Sequence, residues 1–156
     1  MHNEEQDGWH NTFLDLCEFW AKKSKDRSTK VGAVIVGQRN NVLSTGYNGF
    51  VRHVPDDIEE FHARPMKYLV TEHAERNAIY NAAMDGIRLM GSTLYMPYKP
   101  VPCCDCARAI IQVGIKRIVG SDIDFPGKGG QWAENLRVSQ QMLLYAGIEC
   151  IIINKT

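Results

Sequence analysis

The spacing of apolar residues along the chain switches repeatedly between a helical and a strand period. Trp9, Phe13, Leu16, Cys17 and Trp20 recur at helical intervals and predict an amphipathic helix ending near Lys22 and Lys23. Val31 to Val36 is a short, almost continuous apolar run, the pattern of a strand buried on both faces. A polar turn (Gly37 to Asn41) leads into a second strand, Val42 to Tyr47, so the first two strands are expected to form a hairpin. From Asn48 to Leu69 the pattern breaks into a long connection with two prolines and the acids Asp56, Asp57, Glu59 and Glu60. A connection of that length in a small domain is usually functional or an insertion.

Regular alternation resumes at His73. Ala78, Ile79 and Ala82 mark a helix ending near Gly86, and Thr93 to Met96 a strand. A helix from Cys103 to Gly114 carries Ile110 and Ile111 inward, and Arg117 to Gly120 is the next strand. Trp132, Leu136, Leu143 and Ala146 mark a final helix stopped by Gly147, and Cys150 to Ile153 closes the sheet. Helices alternating with strands imply parallel pairing after the antiparallel start. The expected fold is α/β: one domain over residues 1–156, a three-layer α/β/α sandwich around a five-stranded mixed sheet. The 156 residues suffice for one such core.

Charge and cysteine usage narrow the class. Eighteen basic and eighteen acidic residues give a formal net charge of zero, so no global field favours nucleic acid or a membrane surface. The first residues lack a basic stretch followed by an apolar run, and no segment is apolar enough to span a bilayer. Of the five cysteines, Cys17 and Cys150 fall on apolar faces and are expected to be buried free thiols, which suits a reducing cytoplasm.

Two blocks carry the chemistry: His73-Ala74-Glu75, and Pro102-Cys103-Cys104-Asp105-Cys106 about thirty residues later. They offer one imidazole, two thiolates and a spare carboxylate. A structural zinc site closes with four protein ligands, whereas a catalytic one keeps three and a water. Cys103 and Cys106, three residues apart, can point one way from the first turn of a helix. The helix dipole there favours thiolate, the form that binds metal. His73 and Glu75 would diverge by about 200° within a helix, so they converge only if His73 stands in the first turn with the metal off the helix end. Zinc lowers the pKa of bound water to about 7, and Glu75 is the natural base for that water. The two cysteines by themselves also fit a redox pair or half of a structural zinc site, and Glu75 alone fits a dipole-favouring surface acid; each upstream or downstream partner argues against those readings. Cys104 reads as a helix-start residue, its adjacency to Cys103 making joint chelation awkward.

H-x-E followed by P-C-x-x-C is the established signature of zinc nucleobase deaminases, in which the glutamate is not a ligand. Over nearly its whole length the chain also resembles the deoxycytidylate (dCMP) deaminases of the cytidine/deoxycytidylate deaminase superfamily, with an overall likeness to the compact phage and viral type. The similarity runs through Ser24 to Val36, Ser44 to Phe50, His73 to Ile79 and Ala109 to Arg117, and the Gly46-Tyr47-Asn48-Gly49 block points to dCMP.

The resemblance implies hydrolysis of dCMP to dUMP and ammonia, with zinc-activated water attacking C4 of cytosine. His73, Cys103 and Cys106 would be the zinc ligands and Glu75 the proton carrier. Asn48 would contact the sugar and the Ala74 backbone the polar edge of the pyrimidine. It further implies a homohexamer in the cytoplasm (the host's, if the source is viral) that supplies dUMP for thymidylate synthesis. The enzyme would be activated by dCTP and inhibited by dTTP, with Mg2+ on the triphosphate and the effector near Gly46, Tyr47, Asn48 and Gly49. Some phage relatives carry a second zinc in the inserted region, but no cysteine lies between Asn48 and Thr71 here.

For the substrate phosphate, the local basic cluster suggests Arg27 and Lys30, which border the strand leading to the site, and Lys128 is a further possibility. Two rivals remain. A tRNA adenosine deaminase would share the zinc motifs but should carry a basic RNA-binding surface. A non-catalytic zinc module would have no need of Glu75.

Overall fold

The computed structural model describes residues 4–127 and 130–154; Lys128 lies outside them. Helix α1 (Glu4–Ala21) precedes the hairpin of β1 (Gly32–Val36) and β2 (Val42–Tyr47). After an inserted region come α4 (Ala74–Met84), β5 (Thr93–Tyr95), α5 (Cys104–Gln112), β6 (Arg117–Ser121), α6 (Gly130–Tyr145) and β7 (Glu149–Ile153). The five long strands form one sheet in the order β2-β1-β5-β6-β7. β1 is antiparallel to both β2 and β5, while β5, β6 and β7 run parallel. This is the mixed sheet that the alternation of elements predicts.

The period of two along the strands divides the core. Val34 and Val36 of β1, with Tyr95 and Val119, pack on Phe13, Leu14 and Cys17 of α1. Ala33 and Ile35, with Leu94 and Ile118, face the opposite layer, where Ala78, Ile79 and Ala82 of α4, Ile110 of α5 and Leu143 of α6 close over them. All five β1 residues are buried, as expected for a strand covered on both faces. Gly46 lets α4 approach β2 closely: a Cβ there would stand 2.4 Å from both the Ala74 carbonyl oxygen and the Ala78 nitrogen. The start of α4 is thereby pressed onto the sheet.

Two sequence expectations change. The buried face of α1 is His10, Phe13, Leu14 and Cys17, with Trp9 on the surface. The stripe is rotated because His10 turns inward, its Nδ1 2.8 Å from the Tyr95 hydroxyl. Cys150 is exposed, because β7 is an edge strand with one face toward solvent. The long connection after Asn48 carries structure of its own. It pairs β3 (Gly49–Phe50) with β4 (Thr71–Glu72) in a two-stranded sheet and holds two single-turn helices, α2 (Glu59–His62) and α3 (Lys67–Val70). Among the described residues, no helix is long and apolar enough to cross a membrane.

Candidate metal centre and substrate cavity

Two helix N-termini meet on one side of the sheet. His73, in extended conformation, is the N-cap of α4, and Cys103 is the N-cap of α5. Pro102 therefore stands one residue before the cap, and Cys106 occupies the third helical position, its N–H donating to the Cys103 sulfur at 3.5 Å. Capping residues carry side chains that bend back over the helix end, so the ligand atoms converge there. The His73 Nδ1 lies 3.4 Å from the Cys103 Sγ and 3.5 Å from the Cys106 Sγ, and all three atoms fall within 4.8 Å of one another. A tetrahedral zinc with Zn–N of about 2.0–2.1 Å and Zn–S of about 2.3 Å requires N···S edges of about 3.6 Å. The trio fits that ion. Among the described residues it is also the one cluster of at least three such side chains placed to hold a metal.

The electrostatics favour the same use. The hydrogen bond from the Cys106 thiol, backed by His73, holds Cys103 down to about 4 against the opposing effect of burial. That same hydrogen bond, together with burial, pushes the Cys106 thiol up. His73 is raised by its hydrogen bond to Cys103. One thiolate is thus already favoured, and both helix dipoles support negative charge at this point. Glu75 is only 7 % exposed, and its carboxyl oxygen accepts a hydrogen bond from Cys106 Sγ at 3.6 Å. Burial raises its pKa above the ordinary carboxylate range, with the His73 charge opposing. A buried carboxyl group raised in this direction is suited to carrying a proton to and from a reacting group.

His73, Glu75 and Cys103 open into a cavity of about 670 Å3, which Asn48, Ala74, Phe125 and Trp132 also line. That volume is in the range of a small-molecule site. Asn48 is buried and committed at both ends of its amide: Oδ1 accepts from the Val31 N–H and Nδ2 donates to the Thr29 carbonyl, each at 2.8 Å. Its position in the wall is fixed by the loop that precedes β1. Ala74 is the first residue of α4, where a backbone N–H has no acceptor within the helix. Gly46, Tyr47 and Gly49 do not line the cavity; Tyr47 and Gly49 are at least partly exposed, and the Tyr47 carbonyl accepts from Asn77 Nδ2 at 2.8 Å.

The two phosphate candidates stand elsewhere. Arg27 makes a bidentate pair with Glu59 at 2.9 and 3.0 Å, Lys30 is exposed, and neither belongs to the cavity wall. Glu59 lies thirty-two residues from Arg27 in the sequence, a pairing that local spacing does not reveal.

Several wall residues escape sequence reasoning. Arg76 pairs with Glu72 of β4 and reaches Asp105 of α5 at 3.4 Å, bracing the two motif helices against each other. The four-residue spacing of Glu72 and Arg76 was the available signal, although Glu72 lies ahead of the helix. Asn135 of α6 accepts the Cys104 N–H at 2.9 Å through its side chain and the Cys104 thiol at 3.0 Å through its carbonyl. No sequence signal pointed to it. Asp26 accepts from the Ser28 and Thr29 N–H groups and pairs with Lys67 at 2.9 Å, tying the loop before β1 to the inserted region.

A mixed sheet with two helix N-termini converging on an imidazole, two thiols and a spare carboxylate defines the class of zinc-binding deaminase domains. The family model of the cytidine and deoxycytidylate deaminase zinc-binding region matches residues 7–121, and the chain belongs to that family. It is 39 % identical over 145 residues, 90 % of each chain, to an uncharacterized deaminase in the luxG 3′ region of Aliivibrio fischeri. It is 36 % identical over 151 residues to a probable deoxycytidylate deaminase of Drosophila melanogaster, covering 90 % of this chain and 70 % of the fly protein. The apo crystal structure of the dCMP deaminase from cyanophage S-TIM5 superposes over the whole of both chains with a TM-score of 0.65 at 25 % identity.

Proposed function

We propose that this protein is a zinc-dependent dCMP deaminase that converts dCMP and water into dUMP and ammonia, the chain acting as a single deaminase domain in the cytoplasm. The observation that carries the reading is the buried Glu75 carboxylate, 3.6 Å from Cys106 Sγ at the edge of the His73, Cys103 and Cys106 triangle, with the triangle opening into a nucleotide-sized cavity. The Drosophila and cyanophage proteins supply the choice of dCMP among pyrimidine substrates.

His73 Nδ1 and the sulfurs of Cys103 and Cys106 would hold the metal. Zinc held there would supply a Lewis acid able to lower the pKa of a water molecule to about 7. Glu75 accepts a proton from the attacking water and delivers it to N3 of the cytosine, then takes the second proton from the hydroxyl added at C4 and passes it to the departing amine, which leaves as ammonia. One C4–N bond breaks and one C4–O bond forms, with water supplying the oxygen. Proton transfer by a positioned group of this kind contributes about 10²–10⁴-fold. The Ala74 backbone N–H meets the pyrimidine carbonyl. Asn48, held rigid by Thr29 and Val31, borders the sugar.

The same resemblance extends the proposal to a homohexamer that supplies dUMP for thymidylate synthesis, activated by dCTP and inhibited by dTTP as magnesium complexes. The Gly46 to Gly49 block carries that part, and Tyr47 leaves its ring on the surface for such contacts.

The test is ammonia release by the zinc-loaded protein offered dCMP, cytidine, dCTP and an adenosine-containing tRNA stem-loop separately, each with and without Mg-dCTP or Mg-dTTP. Turnover of dCMP, raised by dCTP and suppressed by dTTP, is expected. Activity on the RNA alone would replace the substrate, and silence on all four would leave a non-catalytic zinc module.

A further inference from the structure

Among the described residues, the charged groups that line the cavity pair off with one exception. Lys67 is committed to Asp26 at 2.9 Å, both side chains being largely withdrawn from solvent. Arg76 is committed to Glu72 and Asp105. Glu75 and His73 lie at the metal centre. The remaining charged side chain is Arg64, an exposed residue of the inserted region, for which no carboxylate partner occurs among the described residues. Its guanidinium sits 5.8 Å from the ring centroid of Tyr68, another wall residue, 67 % exposed.

That stacking matters chemically. A guanidinium resting on an aromatic face is held by cation–π attraction through its flat side, and its N–H edges stay free in the plane. Those edges match two oxygens of a phosphate, which Arg grips in a bidentate manner. A nucleoside monophosphate with its base at Glu75 brings a dianion into a cavity where Lys67 and Arg76 are already neutralised.

We propose that Arg64, supported on Tyr68 at the solvent-exposed rim, grips the 5′-phosphate of the substrate and makes the cavity selective for a pyrimidine nucleoside monophosphate over the free nucleoside. The assignment rests on the deaminase reading above and names the part of that site which recognises the phosphate. The inserted region then has a chemical task, carrying to the cavity the one cation that is uncommitted among the described residues.

The test is binding of the product dUMP and of deoxyuridine to the zinc-loaded wild type and to Arg64→Ala, Arg64→Lys, Tyr68→Ala and Arg27→Ala, with zinc content and thermal melting recorded for each. Loss of a charge-assisted contact should weaken dUMP binding by about 10–100-fold in Arg64→Ala. The ratio of dUMP to deoxyuridine affinity should collapse with it. Arg64→Lys keeps the charge but not the fork and should recover part of the loss, and Tyr68→Ala should show a smaller loss. A folded, zinc-replete Arg64→Ala that binds dUMP as wild type does would overturn the assignment. So would a collapse of the ratio in Arg27→Ala with Arg64→Ala unaffected. Failure of the wild type both to bind dUMP and to turn over dCMP is a separate result that removes the deaminase reading itself, and the phosphate assignment falls with it.

Discussion

At the floor of the cavity His73, Glu75, Cys103 and Cys106 sit at the starts of two regular helices packed on the sheet. The outer wall, by contrast, comes from the loop before β1 and the inserted region between β3 and β4. The floor is fixed by buried apolar contacts: Ala74, Ala78 and Ile79 beneath His73, Ala107 and Ile110 beneath the cysteines. In the wall Lys67 pairs with Asp26 across a long sequence separation, and outside the lining Lys25 with Asp56 and Arg27 with Glu59 tie the same two segments together. The latter two pairs are solvent-exposed, where screening leaves an ion pair little net stabilisation. The difference teaches a division of labour. The candidate metal ligands and Glu75 are held by buried packing, whereas the outer wall depends on polar contacts between segments far apart in the sequence.

If that division is right, substitutions in the floor should alter metal content and kcat, whereas those in the wall should alter KM. The largest effect is expected for Cys106→Ala. It removes one of the three proposed ligands, so zinc measured by atomic emission should fall to a small fraction of an equivalent and turnover should drop below detection. A mutant that kept a full equivalent of zinc would break the ligand set.

Next comes Gly46→Ala. Its new Cβ would collide with the backbone of α4 at Ala74 and Ala78, and backbone cannot swing aside as a side chain can. Overpacking of this kind costs about 1–3 kcal/mol, read as a melting temperature lowered by several degrees, with weakened zinc retention because α4 carries His73 and Glu75. A melting temperature equal to wild type would show that the approach of β2 to α4 is looser than described.

The smallest effect belongs to the wall. Asp26→Asn removes the pairing with Lys67 and weakens the acceptor for Ser28 and Thr29. Hydrogen bonds to a charged group are worth about 1.5–3 kcal/mol, so urea unfolding should shift modestly and KM should rise while zinc content stays the same. Burial alone would raise the Asp26 pKa. The Thr29 N–H, Lys67 and the Ser28 N–H outweigh it and hold the carboxyl below its ordinary value of 3.8. A depressed folded pKa means that the carboxylate's contribution is fully present above about pH 3.8 and is lost as pH falls through the folded value. The stability gap between wild type and Asp26→Asn, compared in zinc-free protein, should therefore hold from pH 7 to pH 5 and close at more acid pH. A gap that widened on acidification would contradict the sign.

The same contrast explains what was legible in the sequence. Strand and helix order, the hairpin and the parallel half of the sheet follow from apolar periodicity, because those elements bury whole faces. His73, Glu75, Cys103 and Cys106 were legible because a metal centre needs particular residue types at fixed spacing. The two-residue strands β3 and β4 are too short to carry a period, and the single-turn helices α2 and α3 bury no residue. Cys150 was misplaced because an apolar alternation does not reveal whether a strand lies inside the sheet or at its edge. Arg27 and Lys30 were chosen for nearness in sequence, while the partner that occupies Arg27 is thirty-two residues away. Asn135 reaches Cys104 from another helix, a contact with no local signature.

The central claim is that Glu75 moves protons beside a metal it does not bind. Glu75→Gln preserves the size of the side chain and removes its acid–base function. The decisive measurement is zinc per chain and kcat for dCMP in this variant, side by side with wild type. The account predicts a full complement of zinc and a kcat lower by about 10²–10⁴-fold. Loss of zinc, or turnover near the wild-type rate with zinc in place, would contradict it.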